Sequence, residues 1–195
     1  MNKILFSIFA ILLGFNIAAC AKESVTINGS SNLIKAEYDS LEVNGVLAFQ
    51  DLSIKNSIIV NGSLAGKNLK CRSMESNGSV DIDGLQTQTV EINGSFSAKN
   101  VAISGTAIFN GAVKIANGTI QEVEISSKAA NMTNVVVNGN INIRSGNNNT
   151  LPQILRLQGK TVVKGDVIFE EDGKIYLSDS AKIEGQVVNA SIIQK

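Results

Sequence analysis

The chain has 195 residues, with 17 lysines and arginines against 17 aspartates and glutamates, and it contains no histidine. This balance argues against a nucleic-acid partner and against electrostatic attraction to a membrane. Glycine reaches 17 and asparagine is abundant, whereas there is one proline and no tryptophan. With frequent Val, Ile and Leu, this composition indicates many short strands joined by tight turns.

The N-terminal segment MNKILFSIFAILLGFNIAAC has the pattern of an export signal. Lys3 precedes an apolar run over 4–15, which is shorter than the about 20 residues that a membrane-spanning helix needs. The sequence at 17–20, Ile-Ala-Ala-Cys, resembles the lipobox of bacterial lipoproteins. The resemblance implies that residues 1–19 are a cleaved signal peptide and that Cys20 receives a diacylglycerol. An ordinary secretory signal followed by a chance cysteine is the alternative.

Residues 20–24 are then a short lipid-anchored linker. Two or three acyl chains anchor a protein stably, whereas one gives marginal binding. Ala21 follows the cysteine, and in Gram-negative lipoproteins the lack of Asp at that position is typical of the outer-membrane class. We therefore expect an exported protein that is anchored to the cell envelope, on the periplasmic or surface face of the outer membrane if the source is Gram-negative.

An internal repeat dominates the rest of the chain, and its marker is the dipeptide Asn-Gly. Its first six copies lie 16 or 17 residues apart. Seven copies mark the repeats: Asn28-Gly29, Asn44-Gly45, Asn61-Gly62, Asn77-Gly78, Asn93-Gly94, Asn110-Gly111 and Asn138-Gly139.

Each repeat holds three pairs of apolar residues, and the members of a pair are two residues apart. The pairs lie four and two residues before the Gly, two and four after it, and seven and nine after it, as in Leu41/Val43, Leu47/Phe49 and Leu52/Ile54. A spacing of two is the period of a β-strand. The repeat therefore predicts an all-β, single-stranded, three-sided β-solenoid (a β-helix) of about ten coils over residues 25–195. The period of 16–17 favours a right-handed coil.

Asn-Gly is expected at the corners of the coils because both residues tolerate the left-handed conformation of a sharp bend. Stacked Asn side chains are also expected to hydrogen-bond along the rod. Later coils are predicted at 123–134, 135–146, 155–169 and 174–185, with a protruding loop at 147–152. The segment 187–195 either lies across the last coil as a cap or leaves an open edge.

Coils such as VEINGSFSAKNVAISG resemble those of the bactofilins, and the likeness spans most of residues 25–185. It implies a right-handed, three-sided β-helix that assembles end to end without nucleotide. The chain departs from that family because bactofilins are typically cytoplasmic and lack a lipoprotein signal. Left-handed hexapeptide acyltransferases and γ-class carbonic anhydrases are disfavoured, since their coils have 18 residues and their chemistry depends on histidine.

Few side chains suggest chemistry, and we predict no catalytic residue, metal site or cofactor. Cys71 should lie in an inward column between Ile54 and Thr87 as a buried thiol with a raised pKa. An outward column should hold Glu42, Glu75 and Glu91. Four apolar residues are expected in the same outward column, where they form a possible docking stripe: Ile59, Ile108, Val136 and Tyr176.

The sequence thus favours a non-catalytic structural or interaction lipoprotein, tethered to the membrane by Cys20. Its expected partners are copies of itself, end to end, or an unknown envelope protein or glycan, and not nucleic acid. The alternative is a surface-exposed adhesin or carbohydrate-binding β-helix. A polysaccharide-active enzyme ranks third, because Asp81, Asp83 and Glu91 are expected to lie near each other in adjacent coils.

Overall fold

The computed structural model describes residues 7–9, 24–145, 152–178 and 180–195. These residues are all-β, and no helix among them is long and apolar enough to cross a membrane. The strands of the first half are β1 (Ser7–Phe9), β2 (Ser24–Tyr38), β3 (Ser40–Ile54), β4 (Ser57–Val60), β5 (Ser63–Lys70), β6 (Ser73–Ser76), β7 (Ser79–Thr87), β8 (Thr89–Ile92) and β9 (Ser95–Phe109). The others are β10 (Ala112–Ile125), β11 (Ala129–Val137), β12 (Ile141–Ile143), β13 (Gln153–Gln158), β14 (Val162–Val163), β15 (Val167–Leu177), β16 (Lys182–Ile183) and β17 (Val187–Gln194).

The strands wind into a three-sided solenoid of about ten coils, which confirms the predicted architecture. In coil 2, residues 40–43 form face A, residues 46–50 form face B and residues 52–54 form face C. Face A of each coil pairs with face A of the next, always in parallel, and faces B and C do the same. Coils 1 to 10 begin on face A at residues 24, 40, 57, 73, 89, 106, 122, 141, 167 and 187.

The core is a set of inward columns, one residue per coil. On β4, Ile58 and Val60 are fully buried, whereas their neighbours Ser57 and Ile59 point outward. Such strands have only one apolar face to bury, and each coil buries it against the coils above and below. Phe96 and Phe109 illustrate the packing, because both are buried and their ring centroids lie 5.1 Å apart.

The Asn-Gly corner, between faces A and B, has the predicted positive φ in coils 1 to 3, at Gly29, Gly45 and Gly62. In coils 4 to 6 it depends instead on close approach of the backbone. A Cβ atom on Gly78, Gly94 or Gly111 would overlap the carbonyl oxygen of the glycine one coil below. None of these three glycines has a positive φ. The column therefore requires glycine because two coils touch there.

The left-handed residues lie mainly at another corner, between faces B and C, which the sequence pattern did not predict. Six of the seven non-glycine residues with positive φ are there, with φ from 51° to 59°: Lys35, Asp51, Asn68, Asn100, Asn117 and Asn134. Asparagine suits this conformation because its short polar side chain bonds locally. Asn68 donates to Asp51 at 2.6 Å, and Asn134 donates to Asn117 at 3.2 Å.

Beyond coil 6 the coils are placed differently from the prediction. Val135–Val137 stacks on 118–120 of face C, and Ile141–Ile143 stacks on 123–125 of face A. Asn138-Gly139 consequently lies at the corner between faces C and A and does not restart the earlier column. The predicted loop at 147–152 falls, except for Pro152, outside the described residues.

The outward column that contains the glutamates also differs in part from the prediction. Glu42, Ile59, Glu75, Glu91 and Ile108 do stack in one column of face A, as predicted. Val136 and Tyr176 were wrongly assigned to this column. Val136 stacks on Thr119 of face C, and Tyr176 stacks on Arg156 of face B. The docking stripe is therefore limited to the two isoleucines.

The two ends of the rod differ. At the first coil, β1 pairs in parallel with β2, with Ser7 opposite Thr26. At the other end, β17 stacks in register on β15, with Val187 opposite Val167 and Ile192 opposite Ile175. Residues 187–194 therefore form coil 10 itself rather than a cap across coil 9. Among the described residues, no strand pairs with the outer edge of β17.

Candidate functional site

A ladder of asparagine amides follows the corner between faces A and B. Each Nδ2 donates to the Oδ1 of the asparagine one coil below, at 2.7 to 3.2 Å. The ladder joins Asn28, Asn44, Asn61, Asn77, Asn93 and Asn110. Because each amide bonds to its neighbour in the column, the ladder holds the coils in register.

The predicted lipidation residue, Cys20, lies outside the described residues, as does most of the predicted signal peptide. Cys71 is the buried free cysteine, with 7% of its surface exposed. Its thiol donates to Thr87 Oγ1 at 3.4 Å. Burial raises the pKa of the Cys71 thiol to about 11. The hydrogen bond with Thr87 lowers this pKa, but its effect is smaller than that of burial. The buried position of Cys71 is therefore confirmed.

We expect Cys71 to react slowly with alkylating reagents. At pH 8, iodoacetamide should label Cys71 on the order of 100-fold more slowly in the folded chain than in guanidinium, because only the thiolate reacts. The folded pKa is raised, so this group adds stability below the unfolded pKa of about 9, and that stability is lost as the pH rises towards 11. Mass spectrometry of the Cys71 peptide measures the rate. Labelling at the rate of the unfolded chain would contradict the buried position.

The acidic residues do not form the predicted cluster. Asp81 and Asp83 lie on face B of coil 4, whereas Glu91 lies on face A of coil 5. The prediction that the three lie together was wrong, because the corner at Asn93 separates the two faces. Within the described part of the chain, no group of three potential ligands is placed to hold a metal ion.

A shallow groove of about 580 Å³ lies where face C meets face A. Polar side chains from five successive coils line it, including Gln86, Gln88, Ser104, Gln121 and Asn138. Amides and hydroxyls can both donate and accept hydrogen bonds. The sequence pattern missed this groove because its residues come from the corner at which the repeat is least regular.

The outer side of coil 10 is the clearest candidate interaction site. Ile175 and Ile192 occupy the same inward column, yet Ile175 is fully buried and Ile192 is 48% exposed. Val188 on the same strand is 38% exposed. The difference arises because no described coil covers coil 10. An exposed apolar surface beside an unpaired strand edge is a typical site of strand addition.

Searches against protein-family models, curated proteins and solved structures give no match to this chain.

Proposed function

We propose that this chain is a non-catalytic, membrane-anchored scaffold lipoprotein whose copies associate end to end. The observation that carries the proposal is the open tenth coil, where Ile192 is half exposed although its column is otherwise buried. The unpaired backbone of β17 is a template for a further parallel strand.

The complementary surface is the first coil of another copy. The edge of β2 accepts a parallel strand, since Ser7–Phe9 pairs with Thr26, Ile27 and Asn28. Ser7–Phe9 belongs to the predicted signal peptide, so its removal on export would free this edge. Strand β17 of a second copy could then continue the coil, because both ends share the same three-sided outline.

The proposed anchor is Cys20, four residues before β2 begins at Ser24. A segment of this length spans at most about 14 Å, so the rod would lie close to the bilayer. Growth in labelled palmitate should label the wild-type protein and should leave a Cys20→Ser variant unlabelled. Equal labelling of the two proteins would exclude Cys20 as the lipid attachment residue.

The substitution Ile192→Lys tests the end-to-end contact. Burial of one isoleucine contributes about 1.5–3 kcal/mol, so its loss should weaken association at least about tenfold. We would measure sedimentation velocity of the processed protein, residues 20–195, in detergent and 1 M NaCl, where the Debye length of about 3 Å suppresses contacts between charged sides.

Val46→Lys is the matched control, because Val46 is 51% exposed but lies on the side of the rod, in coil 2. This control should associate like the wild type. Identical sedimentation of wild type and Ile192→Lys at all concentrations would contradict the proposal.

A second candidate is a carbohydrate-binding or adhesin role, and the polar groove between faces C and A favours it. Its glutamine, asparagine and serine side chains suit the hydroxyls of a glycan. Binding to immobilised glycans that Gln121→Ala abolishes would favour this role over the scaffold. Cleavage by protease on intact cells would further show the surface exposure that an adhesin needs.

A further inference from the structure

Charge is divided between two faces of the rod. The described residues of face A carry five glutamates and neither lysine nor arginine: Glu42, Glu75, Glu91, Glu122 and Glu124. Face B carries five cations against two aspartates, Asp81 and Asp83: Lys67, Lys99, Lys114, Arg156 and Lys174. A chain with no net charge thus presents one acidic and one basic side.

The charges on face A lack enough partners within the chain. Glu75 and Glu91 are directly opposed on β6 and β8, about 4.8 Å apart along the rod, where like charges repel. Both are exposed, and among the described residues neither has an ion-pair partner. Arg144 pairs with Glu124 at 2.8 Å, which leaves Glu122 free in that coil.

We propose that face A binds face B of a second copy lying parallel to the first and displaced by one coil. The acidic coils of face A are 2, 4, 5 and 7, and coils 3, 5, 6, 8 and 9 of face B carry cations. An offset of one coil gives each acidic coil a cationic partner, and only Lys174 of coil 9 then faces a coil without an acidic residue on face A. It sets Glu42 against Lys67, Glu75 against Lys99, Glu91 against Lys114, and Glu122 against Arg156.

The same offset avoids the unfavourable contacts of a direct alignment. Without it, Glu75 would face Asp81 and Asp83, which share coil 4 with it. With it, the two aspartates face Ile59 of coil 3 instead. Arg156 is also held in place for the contact, since its guanidinium lies 5.4 Å from the centre of the Tyr176 ring.

The area is sufficient for a specific contact. Nine overlapping coils of a face about 13 Å wide cover about 560 Å² on each copy, or about 1,100 Å² in total. Specific interfaces begin at about 1,000 Å². The proposal takes from the proposed function only the shared tether, which concentrates copies in one membrane, and it does not require the end-to-end contact.

Carbodiimide cross-linking, which joins a carboxylate to a lysine with no spacer, tests the pairing. The full-length lipoprotein would be reconstituted in phosphatidylcholine vesicles from equal amounts of ¹⁵N-labelled and unlabelled copies. Mixed-isotope cross-links of Glu91 with Lys114 and of Glu75 with Lys99 are expected, and they should fall steeply with added salt. Absence of mixed-isotope cross-links in the wild type would overturn the proposal.

Charge reversal supplies the decisive comparison. E75K/E91K and K99E/K114E should each lose at least 90% of the mixed-isotope cross-links, and a mixture of the two variants should restore them between the reversed faces. E37K/K70E on face C is the matched control and should behave like the wild type. Failure of the mixture to restore the cross-links would also overturn the proposal. Ile192→Lys should leave these cross-links unchanged, so loss of the end-to-end contact is distinguishable from loss of the lateral one.

Discussion

Gly94→Ala is expected to destabilise the rod by about 3 kcal/mol, a large loss for a substitution that adds one methyl group. The new Cβ would overlap the carbonyl oxygen of Gly78, one coil below. That oxygen accepts a hydrogen bond from the Ser95 N–H at 3.0 Å, so a shift that relieves the overlap also weakens the ladder. Equilibrium unfolding in guanidinium measures the change.

Gly29→Ala is the comparison within the same column. Gly29 lies in coil 1, and no described atom would come within 4 Å of its Cβ, so only its φ of 95° opposes a side chain. The cost should be about 1–2 kcal/mol. If Gly94→Ala cost no more than Gly29→Ala, contact between successive coils would not be the reason for glycine at this corner.

Phe109→Ala is expected to cost about 3–5 kcal/mol, since it removes a fully buried aromatic ring and leaves a cavity. Phe109 is fully inaccessible, and its ring packs against Phe96 with an interplanar angle of 33°. The solenoid can close this cavity only poorly, because the coils above and below are fixed by their own ladders. The free energy of unfolding should fall accordingly in chemical denaturation.

The control is Ile59→Ala, which removes an apolar side chain from the outward side of the same face. Ile59 is exposed, so its loss should change stability by about 0.5 kcal/mol or less. Comparable losses for Phe109→Ala and Ile59→Ala would contradict the division into inward and outward columns.

The sequence predicted the architecture because one simple rule repeats. Pairs such as Leu47/Phe49 have the strand period, and three pairs in each repeat require three sides. The buried position of Cys71 followed from the same rule, since Cys71 continues a column of inward residues. The assignment of residues to inward and outward columns was accurate wherever the repeat length stayed at 16 or 17.

The features that the sequence did not predict depend on distances between successive coils, and the repeat pattern does not specify these distances. The glycine column was expected for its conformational freedom, but Gly94 is required by a neighbouring backbone. The left-handed corner between faces B and C could have been found from the sequence, because asparagine recurs six residues after the glycine of a repeat. These asparagines are Asn68, Asn100 and Asn117. Lys35 and Asp51 occupy the same position in coils 1 and 2, so the asparagine pattern is incomplete. Tyr176 was assigned to the wrong face because the coils after residue 125 are longer than 17 residues. Positions counted with the 16–17 period therefore no longer fall on the same face.

Electron microscopy of the processed wild-type protein, residues 20–195, at increasing concentration tests the central claim most directly. If coil 10 of one copy continues into coil 1 of the next, filaments should form with an axial repeat of about 48 Å, ten coils at the strand spacing. Single rods of about this length at every concentration, with no filaments, would contradict association through the open coil.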